Sequence, residues 1–276
     1  MEEMTIIDIT RAYIQTLGLQ KRPPDLAYLS EITRRHVAQF AFSSVGPMLG
    51  DDLPLNIQAL YQRIVVNRRG GYCFEQNGLM YAVLQELGFK VKLYLCRVIY
   101  NRDIHPGLTH RITLVEIDGN RYIADVGFGP LGPQLPVSMS GEESQENFRL
   151  FRIREQNPRE FHMQTLKDGE FYTLYKFEPA RYGQADCEVG HFYSHKHPGA
   201  TFVNHLVVSK ILDHEVLSLR NHEFQAITKS GVHSHSIANG SELQTVLDSR
   251  FGVSVNDAES HRLFARSSAE SIDLSE

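Results

Sequence analysis

The stretch His110-Arg-Ile-Thr-Leu-Val-Glu-Ile-Asp-Gly-Asn-Arg-Tyr-Ile-Ala-Asp125 decides how the chain is built. Two runs of β-forming residues flank Asp118-Gly119, a favoured two-residue hairpin loop, so residues 110–117 and 120–125 read as paired antiparallel strands. With that loop Ile117 faces Asn120, and Asp125 falls opposite Ile112. Side chains alternate along a strand, so His110 and Ile112 share a face. Asp125 is then the diagonal neighbour of His110 on that face, with Cα atoms about 7–8 Å apart. A register slip of one residue would send Asp125 to the opposite face and separate the two.

The same two-residue period continues on either side of the hairpin. Residues 90–100 alternate in their first half and are rich in β-formers, and residues 148–154, 160–166 and 170–177 read as a meander broken at Asn157-Pro158 and Lys167-Asp168-Gly169. Ahead of this block the period is helical. Ile6, Ile9, Tyr13 and Leu17 precede a stop at Gly18; Asp25 opens a second helix and Asn56 a third; residues 74–87 form a fourth that ends at Gly88. All four are expected to be amphipathic. The last third mixes strands at 206–212, 215–220 and 223–228 with a helix over 241–251, and the polar segment after Asp257 is expected to fray. Helices, then strands, then a mixed segment specify an α+β fold. Its expected parts are an N-terminal helical bundle over 1–89, a central β-barrel domain over 90–200 and a C-terminal α/β lid over 201–276.

Composition narrows the function. The 276 residues are 42% hydrophobic and 22% charged, as in ordinary globular proteins, and the net charge is −5. That balance excludes the concentrated positive field that nucleic acid or an anionic membrane surface requires. No apolar run reaches the roughly 20 residues of a membrane span, and the acidic N-terminus is not a secretory signal. Three widely spaced cysteines form neither a disulfide framework nor a zinc pattern, and a cytoplasmic location with reduced thiols is the expectation.

One of those cysteines stands apart. In Arg68-Arg-Gly-Gly-Tyr-Cys-Phe-Glu-Gln-Asn77 a double glycine allows a tight turn, and Cys73 opens the helix that follows. Free backbone N–H groups and the positive end of the helix dipole favour thiolate there, and the two arginines add positive charge. The same N–H groups suit a developing oxyanion. Cys96, within an apolar strand, and Cys187 read as buried structural thiols. Of the thirteen histidines, the group His191, His195 and His197 and the pair His233 and His235 read as surface or loop residues. The latter pair lacks the further ligands that zinc needs, so no metal site is expected. Cys73, His110 and Asp125 together make a nucleophile, a base and an orienter, the set used for acyl transfer.

Those residues resemble a known family. Residues 68–79, Arg-Arg-Gly-Gly-Tyr-Cys-Phe-Glu-Gln-Asn-Gly-Leu, with Thr109-His110 and Ala124-Asp-Val-Gly-Phe-Gly129, are similar to arylamine N-acetyltransferases of the bacterial type. Leu87-Gly88-Phe89 and Cys187-Glu188-Val189-Gly190 also fit. The resemblance implies a cysteine-protease/transglutaminase-like catalytic core with the triad Cys73, His110 and Asp125. It implies acetyl-CoA as acetyl donor, a Cys73 thioester, and arylamine, arylhydrazine or N-hydroxyarylamine acceptors in a ping-pong reaction. It further implies an acceptor pocket at Phe42, Phe74, Val98, Phe128 and Phe202, and CoA contacts at Thr109, Gly127, Phe128 and Gly129. A hydrolase or amidase built on the same triad is the alternative. The chain departs from the family at Phe42-Ser43-Ser44-Val45, where a glutamate usually pairs with the arginine matching Arg69. Arg69 is therefore expected to turn to Glu75 or to solvent.

Overall fold

The computed structural model describes residues 4–267. Its N-terminal part holds α1 (Ile6–Thr16), α2 (Leu26–Gln39), the short strand β1 (Phe42–Ser43), α3 (Val45–Leu49), α4 (Ile57–Tyr61), which runs on as a π-helical turn at Gln62–Val66, and α5 (Cys73–Glu86). Polar side chains start these helices, at Asp25 and Asn56 as the sequence suggests and at Thr5 in addition. Thr5 and Asp8 form a capping box on α1, Asp25 accepts from the Tyr28 N–H at 2.7 Å, and Asn56 accepts from the Ala59 N–H at 2.9 Å. Unlike α1 and α2, α5 has no apolar stripe, because every residue from Cys73 to Met80 is buried. It is the central helix, covered by α1 and α4 on one side and by the sheet on the other.

That sheet has eight antiparallel strands: β2 (Lys90–Val98), β3 (His110–Ile117), β4 (Asn120–Ala124), β5 (Val137–Ser138), β6 (Ser144–Glu146), β7 (Arg149–Asn157), β8 (Glu160–Lys167) and β9 (Glu170–Phe177). Their order is β5-β4-β3-β2-β9-β8-β7-β6, and the sheet curls until β5 approaches β7, a nearly closed barrel. In the β3–β4 hairpin Ile117 pairs with Asn120 and Thr113 with Ala124, the register that the Asp118-Gly119 loop predicts. A second, five-stranded antiparallel sheet has the order β1, β10 (Val207–Ile211), β11 (Glu215–Arg220), β12 (Glu223–Thr228) and β13 (Gly231–Ser236). Its first strand comes from the N-terminal part, since Phe42 pairs with Ser209 and Ser43 with Val208.

Three features differ from the reading of the sequence. Residues 184–196 form helix α6 (Gln184–Lys196), followed by α7 (Thr201–Asn204). His191 and His195 are buried on α6, whereas Val189 and Phe192 on the same helix are exposed. This inverted burial erases the apolar periodicity by which helices are recognised. After α8 (Gly240–Val246) and a π turn at Leu247–Phe251, the segment expected to fray instead forms α9 (Asp257–Ser267), with Leu263 fully buried. Residues 268–276 of that segment lie outside the described residues. Finally, Arg69 binds neither Glu75 nor open solvent. It forms a two-pronged ion pair with Glu259 of α9, at 2.8 and 3.0 Å, while Glu75 takes Arg63 at 2.8 Å.

A polar thread runs through the helical core beside α5. The Gln76 amide donates to the Ala41 carbonyl at 2.8 Å, which leaves its Oε1 to accept from His36 Nε2 at 2.8 Å. His36 Nδ1 must then accept from the Tyr13 hydroxyl at 2.6 Å, so the imidazole is held neutral. Burial, opposed only by the Gln76 hydrogen bond, lowers its pKa to about 4. An unfolded histidine takes up its proton near 6.5, so this group's contribution is intact above that pH and is lost as pH falls toward about 4. We expect the unfolding free energy to drop across that window, with His36 supplying up to about 1.4 kcal/mol per pH unit. His36→Gln should show a shallower slope in urea titrations between pH 6.5 and 4; an unchanged slope would refute the assignment.

Candidate active site

The hairpin, the central helix and the turn after β4 meet at one point. Cys73 is the first residue of α5, and its Sγ lies 3.5 Å from the Thr109 carbonyl oxygen, beside the first residue of β3. His110 follows, and its Nε2 lies 2.7 Å from Asp125 Oδ2. That contact occupies Nε2 and leaves Nδ1 as the ring nitrogen for the thiol. The imidazole is wedged by aromatic rings, Phe128 edge-on at 5.1 Å and Tyr175 at 5.0 Å. These packings hold it in one orientation.

Asp125 is fully enclosed, and each of its oxygens is engaged. Oδ1 accepts from Asn77 Nδ2 at 2.8 Å and from the Gly127 N–H at 3.0 Å. Asn77 stands one helical turn after Cys73, on the same face of α5. It also donates to the Arg111 carbonyl at 2.6 Å and accepts from the Val126 N–H at 3.0 Å. One amide side chain thus clamps the thiol's helix to β3 and to the turn after β4. Asn77 was not singled out in the sequence, although the four-residue spacing from Cys73 is the signal that exposes it. Gly127 makes the close approach possible, because a Cβ there would stand 2.7 Å from the Cys73 Cα and from the Asn77 amide nitrogen.

Burial is the largest influence on both ionisable partners and acts against charge on each. For His110 the Asp125 charge and hydrogen bond, with a lesser contribution from Cys73, outweigh it and raise the imidazole above its ordinary value. For Asp125 the His110 charge and the hydrogen bonds from His110, Asn77 and the Gly127 N–H outweigh it, and the carboxyl falls below its ordinary value. The pair is therefore held as imidazolium and carboxylate.

Over Cys73 lies a cavity of about 210 Å³ lined by Phe42, Val98, Thr109, Gly127, Phe128 and Phe202, all singled out in the sequence. Tyr100, then Tyr193 and Ser194 of the unforeseen α6, and Gly199, Ala200 and Thr201 after it add to its wall. Gly129 lies outside this cavity, in the turn behind Phe42. Phe74 is fully buried behind the wall, 6.0 Å from the Tyr72 ring and 5.8 Å from that of His191. Phe42, Tyr100, Phe128, Thr201 and Phe202 also border a neighbouring cavity of about 690 Å³, which reaches along β11 and β12 to Arg220. Of the other thiols, Cys96 lies in β2 and Cys187 in α6, both fully buried. His235 meets Glu242 at 2.6 Å, and among the described residues no group of three or more histidine, cysteine or carboxylate side chains is placed to hold a metal ion.

A helix-borne thiol packed against a strand-borne imidazole, with a carboxylate in the turn after the neighbouring strand, defines a cysteine-protease/transglutaminase-like core. Within that class the chain belongs to the N-acetyltransferase family, whose model matches residues 25–260. It is 33% identical over 266 residues to an arylamine N-acetyltransferase of Mycolicibacterium smegmatis, covering 92% of this chain and 95% of that protein. The fold matches the solved arylamine N-acetyltransferase of Salmonella typhimurium with a TM-score of 0.89 at 28% identity, over 95% of this chain and 99% of that one. It also matches a Mycobacterium marinum arylamine N-acetyltransferase solved in complex with CoA, with a TM-score of 0.86 at 27% identity, over 94% and 98% of the two chains.

Because Asp125 holds the His110 proton against burial, Asp125→Asn should move the His110 titration, followed by NMR of the ring, from above the ordinary histidine value to below it. A titration that stays raised in this variant would refute the pairing.

Proposed function

We propose that this protein transfers an acetyl group from acetyl-CoA through a thioester on Cys73 to an arylamine, an arylhydrazine or an N-hydroxyarylamine. The observation that carries the proposal is the continuous Cys73–His110–Asp125 arrangement at the floor of an aromatic-walled cavity. The relatives' names support the acceptor class, and the CoA complex of the Mycobacterium marinum protein supports the donor.

In the first half-reaction the proton shared by Cys73 and His110 already sits on the imidazole, and the sulfur attacks the acetyl carbonyl carbon. The backbone N–H groups of the first turn of α5 stabilise the oxyanion that develops. The bond to the CoA sulfur then breaks, and the leaving thiolate recovers the proton from His110. In the second half the acceptor nitrogen or hydroxylamine oxygen attacks the thioester carbonyl, His110 accepts its proton, and the Cys73–carbonyl bond breaks to release product. The proton taken from the acceptor stays on His110 beside the released Cys73 sulfur, which restores the starting state. Asp125 keeps the imidazole in one tautomer and stabilises its charged form.

In this reading the cavity over Cys73, walled by Phe42, Val98, Phe128 and Phe202, takes the acceptor ring, with Phe74 stiffening the wall from behind. Thr109 and the Gly127–Gly129 turn border the pantetheine end of CoA. The chain divides functionally into a nucleophile part over 1–89, a base part over 90–200 and a lid over 201–276. Its three free buried thiols suit the reducing cytoplasm.

Mixing the protein with acetyl-CoA should give one acetyl adduct by intact mass, located on Cys73 and absent from Cys73→Ser. Addition of an arylamine should discharge it into the amide, and His110→Ala should slow its formation by about a hundredfold or more. The triad's alternative use as a hydrolase requires discharge to water at the same rate with or without an acceptor, and that outcome would overturn the proposal.

A further inference from the structure

Six residues, Asn67 to Tyr72, connect the π turn after α4 to Cys73, and their conformation is not one the backbone adopts freely. Arg68 has φ 52°, in the left-handed region that a residue with a Cβ resists. Gly70 has φ 66° and leaves only 2.6 Å between an added Cβ and the Ala41 carbonyl oxygen. Backbone held off its preferred basins persists where the surroundings over-determine it. Part of that determination is internal to the fold's first half: Gly71 bridges to Phe42, and its carbonyl accepts from the Ser43 N–H at 2.9 Å.

The rest comes from the far end of the chain. The Arg68 carbonyl accepts from the Ser254 N–H at 2.9 Å. Arg69 donates through Nη1 to the Ser254 carbonyl at 2.9 Å and to Glu259 Oε2 at 2.8 Å, and through Nη2 to Glu259 Oε1 at 3.0 Å. This paired, planar contact fixes the guanidinium in angle as well as in position. Asp51, at 3.6 Å, is the weaker second anion. Glu259 is itself locked, because its Oε2 accepts from the Asn256 N–H at 2.9 Å while its own N–H donates to Asn256 Oδ1 at 2.9 Å. Helix α9 is in turn anchored by buried Leu263 and by Arg262, which donates to the Leu49 carbonyl at 3.0 Å.

We infer that Glu259 is a positioning residue for Cys73: through Arg69 it holds the turn that presents the thiol to His110, so the C-terminal helix sets the reactivity of the nucleophile. The inference rests on Cys73 being the acyl carrier proposed above. It gives the C-terminal helix a part in the chemistry although none of its described side chains lines the cavity over Cys73.

The test compares Glu259→Ala, Glu259→Gln and, as a control on the helix alone, Leu263→Ala, each assayed well below its own unfolding midpoint. Two rates are followed in the full-length protein: alkylation of Cys73 by iodoacetamide and acetylation of Cys73 by acetyl-CoA. Displacing a reacting group by about 1 Å lowers rates by up to a hundredfold. Glu259→Ala should therefore slow both reactions by about tenfold, with Glu259→Gln, which keeps the helix cap but not the charge, in between. Leu263→Ala, which loosens the same helix without touching Arg69, should leave both rates within about twofold of wild type. Wild-type rates in Glu259→Ala would overturn the inference. So would a Leu263→Ala variant slowed as much as Glu259→Ala for the same drop in midpoint. Absence of an acetyl adduct in the wild-type protein would instead refute the acetyl-transfer reading, and the alkylation rates would still decide the role of Glu259.

Discussion

The buried Asp125 carboxylate is the constraint on which the rest of the site depends. A carboxylate enclosed this fully is tolerated only when each oxygen has partners of good geometry. Those partners come from three elements: His110 on β3, Asn77 on α5 and the Gly127 N–H in the turn after β4. Satisfying one side chain therefore fixes the helix, the hairpin and the turn relative to one another. The thiol's place follows, because Cys73 begins the helix that Asn77 secures. The demand for hydrogen bonds at Asp125 and the demand for geometry at Cys73 are met by the same contacts.

The aromatic residues serve a related purpose. Phe128 and Tyr175 pack on the imidazole, Phe202 packs on Phe42 and Tyr72, and Phe74 backs Tyr72. Together they exclude water from the pair and make an apolar wall for a flat ligand. The low dielectric that results strengthens the attraction between imidazolium and carboxylate, and it makes any unpaired polar atom costly. This is why the Asn77 amide, which uses both its donor and its acceptor sides, sits at the junction.

Much of this was legible in residue spacing where the controlling physics is local. A two-residue Asp-Gly loop sets hairpin register by backbone geometry, and register alone brought Asp125 to the face of His110. Helix starts at Asp25 and Asn56 follow from side-chain capping, a contact spanning three residues. The failures were equally physical. Helix α6 buries His191 and His195 and exposes Val189 and Phe192, so its pattern carries no helical period. His191 is tolerated inside because Tyr72 and the Leu53 carbonyl engage its two nitrogens, partners 119 and 138 residues distant.

By itself, then, the sequence determined the order of the N-terminal helices and central strands, the hairpin register and the chemical identities of thiol, imidazole and carboxylate. Each of these depends on contacts within a few residues. Only the tertiary structure decided that Asn77 would bind the helix to the hairpin, that β1 would join the C-terminal sheet, that α6 would wall the cavity, and that Arg69 would meet Glu259. Such pairings join residues up to 190 positions apart. Nothing local selects among the many carboxylates that such an arginine might meet. The choice is made by packing, which brings α9 against the turn before Cys73.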